Sequence, residues 1–147
     1  MALVIFDTNI IIDALKGYKP ALDEPEYWDE PAISAITWME VVAGTKPEEE
    51  GEVMGFLDDF GFEIIHTDAD IMFAAAKIRK LSIRSGAKIP LPDAIIQGTA
   101  VVKNALIVTR NKKDFRGAGI RIPYEVTSTQ RLTFSNVVPP PGPAPHI

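Results

Sequence analysis

The sequence predicts an α/β protein built on a parallel sheet with helices on both faces. Leu3-Val4-Ile5-Phe6 and Leu106-Ile107-Val108 are uninterrupted apolar runs of strand length, as in strands buried on both faces. Each run stops abruptly at polar residues, Asp7-Thr8-Asn9 in one case and Thr109-Arg110-Asn111 in the other. Between them, segments of helical spacing alternate with shorter apolar runs, so successive strands need crossover connections, which are right-handed.

Taken in order, strand one delivers Asp7 to the carboxyl rim of the sheet, where open α/β sheets bind ligands, and Thr8 and Asn9 offer capping chemistry to a helix over 9–16. Asp7 is thereby either a helix cap or a metal ligand. The acidic segment 20–30 is helical in part, and Pro31-Ala32-Ile33 reads as strand two. Ser34 caps the next helix, whose apolar stripe is Ile36, Met39, Val42 and Ala43 and which stops at Gly44. Glu40 lies beside that stripe, so its carboxylate either snorkels outward or has a reason to be inside.

Thr45-Lys46-Pro47-Glu48 resembles a capping box, and the run Glu48-Glu49-Glu50 suits the positive end of a helix that buries Val53, Phe56, Leu57 and Phe60. Phe62 to Ile65 reads as strand three. Thr67 or Asp68 caps a helix with apolar positions Ile71, Ala74, Ala75, Ile78, Leu81 and Ser82, ended by Gly86. Pro90-Leu91-Pro92 fixes the start of a further helix with Asp93 in its first turn. Strand four is 106–108 and strand five 120–122, closed by Pro123. Beyond Val126 a short strand is expected around Leu132-Thr133-Phe134, and the five prolines of 137–147 exclude helix and favour an extended tail, whether a loose end, a packed strap or a binding segment.

A chain of 147 residues with 46% hydrophobic content fits one domain with a sizeable core. With no cysteine, disulfides, thiolate nucleophiles and Cys-ligated zinc are excluded. The N-terminal apolar run has no basic leader and is too short to cross a bilayer, so a soluble, cytoplasmic protein is expected, with no membrane partner. Charge is divided along the chain: residues 1–70 carry 17 acids against three bases, and residues 71–147 carry 12 bases against three acids. Such asymmetry points to a nucleic-acid partner for the basic part, although any single Lys on a helix face is explained by solvation. His66 and His146 are isolated, and Trp38 and Phe115 read as core.

Asp7-Thr8-Asn9 after strand one, Glu40 in the helix after strand two, Pro92-Asp93-Ala94 at a later helix start, and Thr109-Arg110-Asn111 through Asp114-Phe115 after strand four together resemble the PIN-domain nucleases. Their spacing is similar to that of the VapC-type toxins of toxin–antitoxin pairs. The resemblance covers residues 1–126 as a nuclease domain and leaves 127–147 as a C-terminal extension. It implies a PIN-like three-layer αβα sandwich with a five-stranded parallel sheet ordered 3-2-1-4-5, strands one and four meeting at the topological switch point. Asp7, Glu40, Asp93 and Asp114 would then be the catalytic and metal-binding acids, with Asn111 the substitute at the fourth position, which varies most in such families. Thr8, Asn9, Thr109 and Asn111 would be the hydrogen-bonding residues around them.

Two carboxylates about 4 Å apart repel by about 4 kcal/mol at an effective dielectric near 20, so four converging acids need compensation. All-oxygen ligation favours Mg²⁺ or Mn²⁺. The reaction expected is hydrolysis of RNA phosphodiesters by metal-activated water. Among the bases Lys77, Arg79, Lys80, Arg84, Lys88, Arg110, Lys112, Lys113 and Arg116, the three that follow strand four directly, Arg110, Lys112 and Lys113, are the expected phosphate contacts. The resemblance also implies a cognate antitoxin as partner and a homodimer. A haloacid-dehalogenase-like phosphotransferase would need an acid where Asn9 stands. A catalytically silent PIN interaction module would lack one or more acids, whereas a PIN nuclease of RNA maturation would share the whole site.

Overall fold

The computed structural model describes residues 3–115, 119–128 and 133–141. Its element order is β1 (Leu3–Phe6), α1 (Thr8–Leu15), α2 (Lys19–Tyr27), β2 (Glu30–Ser34), α3 (Ala35–Ala43), α4 (Glu50–Asp59), β3 (Glu63–Ile65), α5 (Ala69–Arg84), α6 (Leu91–Lys103), β4 (Leu106–Val108), β5 (Ile120–Arg121), β6 (Glu125–Ser128) and β7 (Thr133–Ser135). Five strands form a parallel sheet in the order β3-β2-β1-β4-β5, and β6 and β7 form a separate antiparallel pair.

Alternation along the strands divides the core into two layers. Val4, Phe6, Ile33 and Val108 face α1 to α4 with Ile10, Ile11, Val41 and Leu57. Ile5, Ala32 and Ile107 face α5 and α6 with Ile71, Ile96 and Ala100. The second layer is closely packed: a Cβ on Gly98 of α6 would stand 2.8 Å from the Ala75 nitrogen and 2.9 Å from the Ile71 carbonyl oxygen of α5. No helix among the described residues is long and apolar enough to cross a membrane.

Several local expectations are corrected. In α3 the buried positions are Thr37 and Val41, while Met39 is 53% exposed, because the helix turns Thr37 inward to meet the Thr8 hydroxyl. Leu81 is 63% exposed, since α5 packs through Ile71, Ala75 and Ser82 and nothing among the described residues covers its next face. Phe56 and Phe60 are only half-buried. Thr45 does not cap the following helix; its hydroxyl donates back to the Val42 carbonyl, and Glu49 instead accepts from the Lys46 N–H at a 3-10 turn over Pro47–Glu49. Strand three starts at Glu63 and strand five stops at Arg121.

The C-terminal segment is packed as far as Pro141. Phe134 of β7 stacks on Tyr18 at 3.9 Å between ring centroids and meets Tyr124 edge-on at 5.1 Å. Beyond it the Val138 N–H donates to the Pro123 carbonyl, Arg121 donates to the Val138 carbonyl, and the Tyr27 hydroxyl donates to the Pro141 carbonyl. Arg121 also forms a buried ion pair with Glu24 of α2, Nε to Oε1 at 2.7 Å. Arg116, Leu132 and residues 142–147 lie outside the described residues.

Candidate active site

Asp7 leaves β1 at its carboxyl end, and its N–H donates to the Val108 carbonyl, which locks it beside the end of β4. Its carboxylate is 3% exposed and accepts three hydrogen bonds: Thr8 N–H to Oδ1 at 2.7 Å, Thr109 Oγ1 to Oδ2 at 2.7 Å and Asn9 Nδ2 to Oδ2 at 3.1 Å. Asp7 is therefore both the cap of α1 and a fixed acid at the sheet rim. Burial raises its pKa above the usual carboxylate range, against the lowering effect of the Thr109 and Thr8 donors, and Glu40 raises it further.

The other acids come from distant elements. Glu40 of α3 is half-buried and accepts from the Thr8 hydroxyl at 2.8 Å, the same hydroxyl that lies 3.0 Å from Thr37 Oγ1. Asp93 stands in the first turn of α6, behind Pro90 and Pro92. Asp114 sits in the loop after β4, whose fold is set by Asn111: its N–H donates to Thr109 Oγ1, and its side chain donates to Asp114 Oδ2 at 3.0 Å and Asp93 Oδ2 at 3.4 Å. Gln97 of α6 donates to the Asp114 carbonyl at 2.9 Å and ties this loop to the helix that carries Asp93.

Asp93 feels the whole cluster. Burial, then the charges of Asp7 and Asp114, a hydrogen bond shared with the Asp114 carboxyl, and Glu40 push its pKa up to about 7. Four acids from four parts of the chain thus share one negative field.

The donor set has the chemistry of a hard-cation site: carboxylate and amide oxygens without sulfur or imidazole, in a field that raises an acid to near neutrality. Beside Asp7, the side-chain oxygen of Asn9 is buried without a hydrogen-bond donor. Among the described residues, no three acidic or histidine side chains are gathered tightly enough to enclose an ion as they stand. Hydroxyl and amide groups meet the carboxylates instead: Thr109 and Asn9 on Asp7, Thr8 on Glu40, and Asn111 on Asp93 and Asp114.

The three basic residues after β4 diverge. Arg110 turns inward, its Nε donating to Asp13 Oδ2 at 2.8 Å, and Lys112 pairs with Glu125 of β6 at 2.6 Å. Lys113 is exposed and makes no ion pair among the described residues. The bases of α5 lie elsewhere: Arg79, Lys80 and Arg84 line an apolar cleft of about 540 Å³ between α5 and α6 together with Met72, Ile83 and Leu91, and none of the four acids lines it.

Sequence reasoning missed Asp13, whose carboxylate is fully buried and also accepts from the Tyr124 hydroxyl at 2.7 Å. The signal was available, for Asp13 is the only acid within the apolar helix Ile10 to Leu15. The Glu24–Arg121 pair carried no comparable mark, because Glu24 lies among other acids in 20–30.

The PIN domain family matches residues 4–120, and the chain belongs to that family. Its likeness is to the VapC group in particular. Ribonuclease VapC1 of Methanocaldococcus jannaschii is 32% identical over 112 residues, covering 76% of this chain and 78% of that protein. Among solved structures, a toxin–antitoxin complex from Klebsiella pneumoniae contains a chain 38% identical, with a TM-score of 0.71 over 84% of this chain and 99% of that one. DNA-bound VapBC from Salmonella typhimurium gives 25% identity and a TM-score of 0.67, over 82% of this chain and 96% of that one.

Proposed function

We propose that this protein is a Mg²⁺- or Mn²⁺-dependent endoribonuclease and the toxin of a VapBC-type pair. The observation that carries the reading is the common field of Asp7, Glu40, Asp93 and Asp114 at the rim between β1 and β4, strong enough to push Asp93 up to about 7. Names of relatives support it from another side: one is a ribonuclease, and others were solved as toxin–antitoxin assemblies.

A divalent cation held by these acids would supply an activated water and a polarised phosphate. The residues of the chain account for the rest. Asp7, held by three donors, is the rigid member of the set. Burial and the neighbouring charges hold Asp93 up at about 7, and a cation in their midst would offset that field and favour its ionised form. Asn111 keeps the carboxyls of Asp93 and Asp114 on one side of the loop. Lys113 is the base best placed to meet an incoming phosphate, since Arg110 and Lys112 already have carboxylate partners.

In the same reading an antitoxin would block the pocket by placing a cation among the acids. Two copies of the chain would meet over the apolar cleft of α5 and α6, where Met72, Ile83 and Leu91 are exposed.

The test is cleavage of defined RNAs with Mg²⁺, with Mn²⁺ and with EDTA. Wild type should cut only with the cation, leaving 5′-phosphate and 3′-hydroxyl ends, while Asp7→Asn and Asp93→Asn should each lose at least about 100-fold in rate and keep the fold. Full activity in either variant, or in EDTA, refutes the proposal.

A further inference from the structure

The polar residues that follow β4 have partners on two sides, the acids and helix α1. Thr109 and Asn111 face the acids, where they meet Asp7, Asp93 and Asp114. Arg110, between them at a bend of the chain, is bonded elsewhere. Its guanidinium meets Asp13 of α1, Nε to Oδ2 at 2.8 Å and Nη2 to Oδ1 at 3.5 Å, and the Asp13 side chain is completely buried. Asp13 Oδ2 also accepts from Tyr124, itself fully buried and wedged edge-on against Tyr18 and Phe134.

Helix α1 is therefore fastened to the loop at two points, Asp7 to Thr109 near its start and Asp13 to Arg110 one and a half turns on. The first fastening uses one of the four acids directly, and the second holds the residue that lies between Thr109 and Asn111.

We propose that Asp13 and Arg110 form a positioning clasp, braced by the Tyr124 hydroxyl, that aims Thr109 and Asn111 at the acids and so sets the cation affinity of the site, with Arg110 taking no part in phosphate binding. This inference rests on the proposed metal site and assigns a task to residues behind it. Groups that orient metal ligands change affinity by about 10- to 100-fold when removed.

The experiment measures Mn²⁺ binding by electron paramagnetic resonance, and RNA binding against salt in EDTA, for wild type, Asp13→Asn, Arg110→Ala, Arg110→Lys, Tyr124→Phe and the double variant Asp13→Asn/Arg110→Ala. Amide exchange of residues 109–115 in EDTA follows the loop itself. Asp13→Asn and Arg110→Ala should each weaken Mn²⁺ binding about 10-fold or more, and the double variant should do no worse than either. Arg110→Lys should restore part of the affinity, and Tyr124→Phe, which keeps the ring in the core, should show a smaller loss of the same kind. Exchange of the loop amides should quicken, and the salt slope of RNA binding should stay at its wild-type value.

If Arg110→Ala flattens that slope while Mn²⁺ binding holds, Arg110 is a phosphate contact and the clasp is refuted. Unchanged Mn²⁺ affinity in Tyr124→Phe and Arg110→Lys refutes it even if the harsher variants fail to fold. A wild-type chain that takes up no Mn²⁺ overturns the proposed function and the clasp together, whereas normal wild-type uptake with unaltered variants overturns the clasp alone.

Discussion

Removing the charge of Asp93 should stabilise the metal-free protein, by an amount that grows as pH rises above about 4 and is complete above about 7. In the fold its pKa stands at about 7, against an ordinary value of 3.8. A raised acid contributes stability that is fully present below its unfolded pKa and is lost as pH rises through its folded one, so the loss falls between about pH 4 and pH 7. At about 1.4 kcal/mol per pH unit the whole displacement corresponds to about 4 kcal/mol, and because Asp93 is only half-buried, solvent screening reduces this to about 2 kcal/mol. Asp93→Asn stays neutral throughout. In EDTA at pH 8 it should melt about 4–8 °C above wild type, and at pH 4 the two should coincide. Saturating Mn²⁺ at pH 8 should reverse the order, since a ligand at 100 times its dissociation constant adds about 2.7 kcal/mol to the chain that binds it. Thermal melts followed by circular dichroism decide the matter: a difference in EDTA that is the same at both pH values refutes the convergence of charge on Asp93.

Other outcomes follow from the packing and the ion pairs. Gly98→Ala should destabilise by about 1–3 kcal/mol in urea titrations despite its better helix propensity, because the added methyl meets backbone atoms of α5 at 2.8 and 2.9 Å. Glu24→Gln takes the carboxylate from Arg121, which keeps its bond to the Val138 carbonyl, and should cost about 1.5–3 kcal/mol by the same measurement, whereas breaking the exposed Lys19–Asp23 pair should change stability by less than about 1 kcal/mol. Lys113→Ala should lower the salt slope of RNA binding by about one, and Lys112→Ala by less, since Glu125 already holds that ammonium; fluorescence anisotropy over a range of salt reads both.

The sheet and its order were legible because their signals are local or follow from the family resemblance: apolar runs of four and three residues mark β1 and β4, and Asp7-Thr8-Asn9 with Asp93 and Asp114 mark the family. Where helical stripes failed, a polar contact had overruled hydrophobicity. Met39 gave way to Thr37 because a threonine pair at 3.0 Å fixes the rotation of α3, and no spacing rule contains that bond. Charge was legible as composition and not as contact. Arg110 and Lys112 stand where phosphate ligands are expected, yet their partners Asp13 and Glu125 lie 97 and 13 positions away in the chain, and only the fold brings them together. The hairpin of β6 and β7 lay in the region where a single strand was expected, because its first strand, Glu125–Ser128, has little apolar alternation to mark it.

The parallel sheet ends on one side in β3, with three residues, and on the other in β5, with two. Such stubs expose few free amides, so an intruding segment gains little by lining up alongside, and growth into fibrils has no template there. The two edges of the parallel sheet thus offer little to a strand from another chain.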